Sequence, residues 1–496
     1  MEIIFNTKTV PYCREVFRET KTVQEHIECV VSDVNDDIGK IAWSEAQICL
    51  KSKEFGALDL SVGAAAELSV FYLSEERDRV LSMRLSRDFA VDFSCGELSD
   101  KADVQVSLSC QGVQARVLNP RKLAVDLTVR AEAVCFVWDD LIVSLSADES
   151  AGGELQLYSE QSDCVVCTQI CEKSFIVSEQ IPVMQEGIVR LLSSHAELVG
   201  RDCQMIGEKA LIKGEALLRF GCEMREGSAP VFLEQSIPFS ALIDSGDEAC
   251  ALGELILQPT ALYAELSDAI NGGRVIELEL HAAAQAQFIK NVTLDYIVDA
   301  YSTLCPLQGL ENTVTVSRGG AEFTLTGEAR DEISLEDAAV SVLSRHAQIL
   351  SFAAKESVAA ASALISLLLQ NADGSYGCVQ KLMSFEWQLP SAACKIDSVR
   401  ITELSARTGD GKMEIRASAV LRGTESAVAE CRYLSGAELD TENRYDPASL
   451  PALTVVSRRG RSLWELAKRY HSCRDAIERL NDKHPMSGDQ LMIPRL

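Results

Sequence analysis

Three octets of this chain read as copies of one another: WSEAQICL at 43–50, SSHAELVG at 193–200 and SRHAQILS at 344–351. Their shared centres, Ala46-Gln47-Ile48, Ala196-Glu197-Leu198 and Ala347-Gln348-Ile349, are separated by steps of 150 and 151 residues. The surroundings repeat too. Upstream, Ile38 and Ile41 correspond to Ile188 and Leu191 and to Ala339 and Val342. Downstream, each copy enters an alternating run: AELSVFYL from Ala66, GEALLRFG from Gly214 and ASALISLL from Ala361. Alternation of apolar with polar or small residues is the pattern of a half-buried strand.

A second landmark follows in the same order. VLNPRKLAVDLTV, DAINGGRVIELEL and RTGDGKMEIRASA each place turn chemistry between two alternating runs. Asn119-Pro120, Asn271-Gly272-Gly273 and Gly409-Asp410-Gly411 supply it, because Gly and Asn tolerate positive φ and Pro presets a turn. From Asn119 to Asn271 is 152 residues, the step of the octets. Two landmarks at one period predict three homologous β-rich domains, over 15–140, 170–292 and 312–425, with a linker at 426–450. The fold class expected is mainly β, each domain a sandwich or partly open barrel. A helical patch over 335–352 is expected to cap the third. The period far exceeds that of solenoid units, so each copy is expected to have its own core.

A chain of 496 residues, 47% apolar and 24% charged, has the balance of an ordinary globular protein. Its net charge of −27 argues against general nucleic-acid binding, which needs Lys and Arg to neutralise phosphates. The acidity is uneven: residues 451–496 hold nine Lys/Arg against five Asp/Glu, a net +4 that leaves −31 on residues 1–450. A basic module ends an acidic chain. MEIIFNTKTV lacks the charged and apolar regions of a signal peptide, and the longest apolar stretch, VAAASALISLLL at 358–369, is too short to span a bilayer. The expectation is a cytoplasmic protein with no transmembrane segment.

Candidate chemistry is sparse. Seventeen scattered cysteines read as reduced, mostly buried thiols. Cys164, Cys167 and Cys171 in CVVCTQIC invite a metal, but no second Cys/His pair follows at ligand spacing, so no metal or other cofactor is expected. Of six histidines, His195 and His346 hold equivalent repeat positions, while the first copy has no matching histidine; a satisfied or exposed role is expected. With no G-x-S-x-G, H-E-x-x-H or P-loop, catalysis is not expected either.

The most specific stretch is the last, LTVVSRRGRSLWELAKRYHSCRDAIERLNDKHPMSGDQLMIPRL. Leu453 to Val456 reads as a strand, and Gly460 with Ser462 as a turn and helix cap. Leu463, Trp464, Leu466, Ala467 and Tyr470 fall at helical spacing; a second helix runs through Ala476, Ile477 and Leu480 to Asn481, and Gln490 to Pro494 returns as a strand. The predicted order is β-α-α-β. Leu463 and Trp464 are expected to pack into the core of so small a unit.

This stretch resembles a LysM domain, whose pattern is met by Thr454-Val455, Gly460, Leu463-Trp464, Ala467, Tyr470, Leu480-Asn481, Gly488 and the run Leu491 to Pro494. The family's Asp-Thr after the glycine is Arg461-Ser462 here, and its Pro-Gly-Gln is Ser487-Gly488-Asp489-Gln490. The resemblance implies a ligand or partner groove lined by Gly460, Arg461, Ser462, Leu463, Pro485, Gly488, Asp489 and Gln490. Arg458, Arg459 and Arg461 cluster at its first loop as candidate partner-docking residues.

Three β repeats and a terminal LysM together resemble the SipL-like spore-coat assembly proteins, which carry SPOCS domains. VSDVNDDIGKI in the first repeat resembles the family's V-P-D-x-x-P-D-I element, and the run from Arg116 to Arg121, RVLNPR, its R-x-L-N-P-R. The resemblance implies a non-enzymatic scaffold of spore envelope morphogenesis in the mother-cell cytosol, docking coat proteins at the forespore surface. It implies that the LysM engages a basement-layer coat protein of the SpoIVA type. The alternative is a LysM that binds peptidoglycan or cortex glycan.

Overall fold

A computed structural model describes the whole chain except residues 33–34, 57–58, 97–101, 148–154, 226–228, 270–271, 336–338, 410, 447–450 and 484–488. It is 80% strand and 4% helix, a mainly β protein. Six strands make up each repeat. The first holds β1 (Glu2–Val30), β2 (Ile38–Phe55), β3 (Asp59–Ser74), β4 (Val80–Ser94), β5 (Asp103–Asn119) and β6 (Lys122–Ala147). The second holds β7 (Leu155–Val183), β8 (Ile188–Ile206), β9 (Lys209–Met224), β10 (Val231–Asp244), β11 (Ala251–Asp268) and β12 (Arg274–Ser302). The third holds β13 (Leu307–Ser334), β14 (Ala339–Lys355), β15 (Val358–Asn371), β16 (Tyr376–Gln388), β17 (Cys394–Gly409) and β18 (Lys412–Leu439).

The octets fall on the second strand of each six, the alternating runs on the third, and the turn landmark between the fifth and sixth. Two expectations are corrected. Of the patch expected to be helical over 335–352, residues 336–338 lie outside the described residues and 339–352 do not form a helix: β14 is a strand, since the small and β-branched residues of AVSVLSRHAQILSFAAK pair along β15 rather than building a helical face. Residues 426–439, expected in a linker, continue β18, whose partner β13 runs beside it to Leu307. The first and sixth strands of every repeat reach well outside the expected limits for the same reason: they pair with each other along almost their full length.

Each repeat is two antiparallel three-stranded sheets packed face to face. The second, third and fourth strands form one; the first, sixth and fifth form the other, which in all three repeats is part of one nine-stranded sheet. Inward side chains of both sheets make one core per repeat. In the first, Leu60, Leu68, Tyr72, Phe93 and Leu123 are fully buried, each worth roughly 1.5–3 kcal/mol for the aliphatic and aromatic side chains withdrawn from water. Arg121 latches one corner, joining the two motif segments of this repeat: its guanidinium donates to the carbonyls of Asn35 (2.8 Å) and Ser32 (3.0 Å) and to the Asp37 carboxylate (2.9 Å).

The three repeats close into a ring through those same elements. Lys51 on β2 donates to the Thr260 carbonyl on β11 (3.0 Å), Arg400 on β17 pairs with Glu197 on β8 (2.6 Å), and Gln348 on β14 donates to Cys110 Sγ on β5 (3.6 Å). In each seam the second strand of one repeat meets the fifth strand of another. The fifth strands are sheet edges, and edge backbone needs partners. On β5 side-chain amides provide them: Gln285 accepts from Val106 N–H and donates to Val106 C=O, both at 2.8 Å, and Gln258 accepts from Leu108 N–H at 3.0 Å. The main sheets are also stitched together where Glu2 to Ile4 of β1 pair with β18.

At the centre of the ring the octets converge. Trp43 is 3% exposed and stacks on Phe71 (4.3 Å between ring centres), with Phe232 of the second repeat at 5.5 Å and His346 of the third at 6.3 Å. Glu45 occupies the first-repeat position matching His195 and His346, and its carboxylate lies 3.8 Å from His346. Burial first, and then Arg219, holds His195 down to about 3 and His346 well below its usual range. Burial raises Glu45, against the pull of Arg219, a Ser193 hydrogen bond and Arg84. The expectation of a satisfied or exposed histidine fails at His195, whose Nδ1 is buried with no hydrogen-bond partner among the described residues.

Candidate partner interface

The terminal module is built from β19 (Leu453–Ser457), α1 (Leu463–Arg469), α2 (Arg474–Lys483) and β20 (Gln490–Pro494), the two strands antiparallel. Ser462 starts α1 with a reciprocal cap: its hydroxyl accepts from Glu465 N–H (3.1 Å), and the Glu465 carboxylate accepts from Ser462 N–H (2.9 Å). Leu466, Ala467, Ile477 and Ile493 form the core, with Leu463, Trp464 and Tyr470 partly buried against it. Asn481 ties α2 to β20, donating to the carbonyls of Ile477 and Met492 (2.7 Å each) and accepting from Met492 N–H (2.9 Å). That side chain gives the Leu480-Asn481 signature a physical reason.

The first loop and the residue before the last strand are brought together. Asp489 accepts from Arg458 N–H through its backbone carbonyl (2.7 Å) and from Arg459 N–H through its carboxylate (2.8 Å). Arg461 N–H closes the turn onto the Arg458 carbonyl (2.8 Å). Arg459 and Gly460 both sit at positive φ, +43° and +79°, so the turn forces a non-glycine residue into the left-handed region beside the glycine. Gly460, Arg461, Ser462, Asp489 and Gln490 are exposed and Leu463 is half-buried; Pro485 and Gly488 lie outside the described residues. Arg458, Arg459 and Arg461 are exposed, and none of them forms an ion pair among the described residues.

What the sequence did not signal is that the module is docked on the second repeat. Trp464 Nε1 donates to Asp299 on β12 (2.7 Å), and Lys468 pairs with the same carboxylate (2.6 Å). The Trp464 ring packs edge-on to Tyr301 (4.8 Å) and against Tyr158 of β7 (5.3 Å). Tyr301 donates its hydroxyl to the Ser472 carbonyl (2.7 Å), and burial raises its pKa. Trp464 is thus both core and anchor. The one faint signal lay in YIVDAY of β12, where Tyr296 and Tyr301 flank an acid in an otherwise apolar run; nothing in it named a partner.

Across this arrangement no helix of the described residues is long and apolar enough to cross a membrane, and no group of three or more His, Cys, Asp or Glu among them is placed to hold a metal ion. No known protein family, curated protein or solved structure matches the chain.

Proposed function

We propose that this protein is a non-enzymatic assembly scaffold of the spore envelope, acting in the mother-cell cytosol at the forespore surface, and that its LysM module docks an acidic face of a coat basement-layer protein of the SpoIVA type. One observation supports the reading: Arg458, Arg459 and Arg461 stand exposed, without carboxylate partners among the described residues, on a loop whose backbone is pinned by Asp489. A pinned loop lowers the ordering cost of binding, and exposed guanidinium groups are the forks that match carboxylates. The rest of the chain, at −31, repels further copies of itself and steers partners to the basic end.

A second reading, recognition of peptidoglycan glycan, draws on the junction of the first loop with Asp489 and Gln490, the residues expected to line a LysM groove. The test is binding of the full chain, and of a variant with Arg458, Arg459 and Arg461 all changed to Glu, to the purified coat protein and to insoluble peptidoglycan at two salt concentrations. Salt-sensitive protein binding lost in the variant supports the scaffold. Retention on peptidoglycan alone, unaffected by salt, overturns it.

A further inference from the structure

The CVVCTQIC segment, which fits no metal pattern, finds its use at the junction of the repeats. Cys164 and Cys167 are three apart on β7, so their side chains leave on opposite faces. Cys164 is sealed with Cys431 of the third repeat in one apolar cluster, and Cys171 lies in another near Cys250. Cys167 instead meets Cys13 of β1, in the first repeat, in a small cluster with Val134, Phe136 and Ile170. Both of these thiols line a cleft of about 800 Å³ to which all three repeats contribute.

We propose that Cys13 and Cys167 form a dithiol site that reacts with a small, polar disulfide entering this cleft and closes into a covalent bond between the first and second repeats. Three features fit such a substrate. The cleft volume admits a tripeptide-sized molecule. Its wall is charged, which suits a polar molecule: Arg14, Arg18 and Lys395 lie in it, paired with Asp139, with Glu15 and Glu132, and with Glu254. Gln105, 1% exposed, also lines it, and neither amide atom has a hydrogen-bond partner among the described residues, so a donor and an acceptor are left for a ligand's peptide group.

The two thiols are unequal in the way exchange requires. Cys167 is held below the usual thiol range by its interaction with Cys13 first and by Gln287 as well, while Cys13 is raised. The thiolate is the nucleophile. Cys167 therefore attacks one sulfur of the incoming disulfide; its S–S bond breaks, a mixed disulfide forms and one small thiolate leaves, taking the proton released by Cys167. Cys13 then loses its proton and attacks the Cys167 sulfur, expelling the second small thiol. Two cysteines are oxidised and one small disulfide is reduced to two thiols. The product links residues 154 positions apart, a long loop of the kind whose closure restrains the unfolded chain most.

The experiment uses the reduced full-length protein, incubated natively with oxidised glutathione, then blocked by alkylation and digested without reductant for mass spectrometry. The expected result is a Cys13–Cys167 linked peptide with loss of two of the seventeen free thiols, and an unfolding midpoint raised by a few degrees. Cys13→Ser should stop at a stable glutathione adduct on Cys167; Cys167→Ser should slow thiol loss at Cys13 by at least about tenfold, because the nucleophile is gone. The wild-type linkage map does not depend on how the variants fold. Oxidation that spares this pair, or a Cys13–Cys167 link appearing only after denaturation, overturns the proposal.

Discussion

The chain handles charge in opposite ways at its centre and at its end. Where the three octets meet, Glu45, His195 and His346 are withdrawn from water beside Trp43, and burial drives all three toward their neutral forms. On the terminal module three guanidinium groups stand exposed with no carboxylate partner among the described residues, and only that of Arg458 is held, by the Arg461 carbonyl (3.1 Å). Two adjacent regimes follow. The centre packs three ionisable side chains near their neutral forms around the Arg219 cation; the loop keeps its charge exposed and available to a second molecule.

That contrast can be broken most forcefully at Trp43. Its replacement by Ala removes a ring packed against all three repeats and should cost about 3–5 kcal/mol, seen as a large drop in the denaturant midpoint of the main transition. A loss under about 1 kcal/mol would mean the centre is not where the ring is held. Asp299→Ala should cost roughly 1–3 kcal/mol of docking, by removing the acceptor for Trp464 and Lys468. Its readout is local: faster proteolysis after residue 440, with the unfolding midpoint of the repeats unchanged.

The centre also predicts a dependence on pH. The folded pKa of His195, about 3, lies below its ordinary 6.5, so in that window the unfolded chain binds the proton and the folded one does not. Stability is therefore complete above 6.5 and falls as pH drops toward 3, by up to about 1.4 kcal/mol for each unit. His346, also lowered, acts in the same direction. Glu45 works against them: its pKa is raised from 4.5, so the stability it adds is present below 4.5 and fades as pH rises through its folded value. Of these three groups only the histidines titrate differently below 4.5, and the contribution of the centre should fall most steeply there. His195→Asn should flatten the acid limb relative to the wild type in denaturant titrations at stepped pH; an unchanged limb would place the imidazole in water.

The smallest effect on stability belongs to the loop. Arg461→Glu should move the midpoint by less than about 0.5 kcal/mol, as an exposed site with no ion pair among the described residues should, while weakening binding to the acidic partner and flattening its salt dependence. Unchanged partner affinity would show these arginines to be merely solvated.

Much of the fold was legible because strands announce themselves at period two and the turns between the fifth and sixth carry Asn, Gly or Pro at the bend. The octets were legible as copies, yet not as the seam: only in the ring does Gln47 accept from Ala196 N–H (2.9 Å), Glu197 pair with Arg400 and Gln348 reach Cys110. The β14 segment was misread because a stretch rich in Ala carries helical propensity, which the pairing with β15 overrides. In the terminal module the core, the cap and the exposed arginines could be read directly. Asp299 could not, being one carboxylate among many on an acidic chain.

The sequence by itself determined local and periodic matters: three copies of one β-rich pattern, the β-α-α-β order of the last residues, and a basic end on an acidic chain. These rest on neighbours in sequence, where alternation, capping and turn residues act within a few positions. The tertiary structure alone decided that the octets face a common centre, that Cys167 meets Cys13, and that Trp464 docks on Asp299. Those are meetings of residues from about 150 to 300 positions apart, set by how whole sheets pack, and sheet packing leaves no short-range signature in the chain.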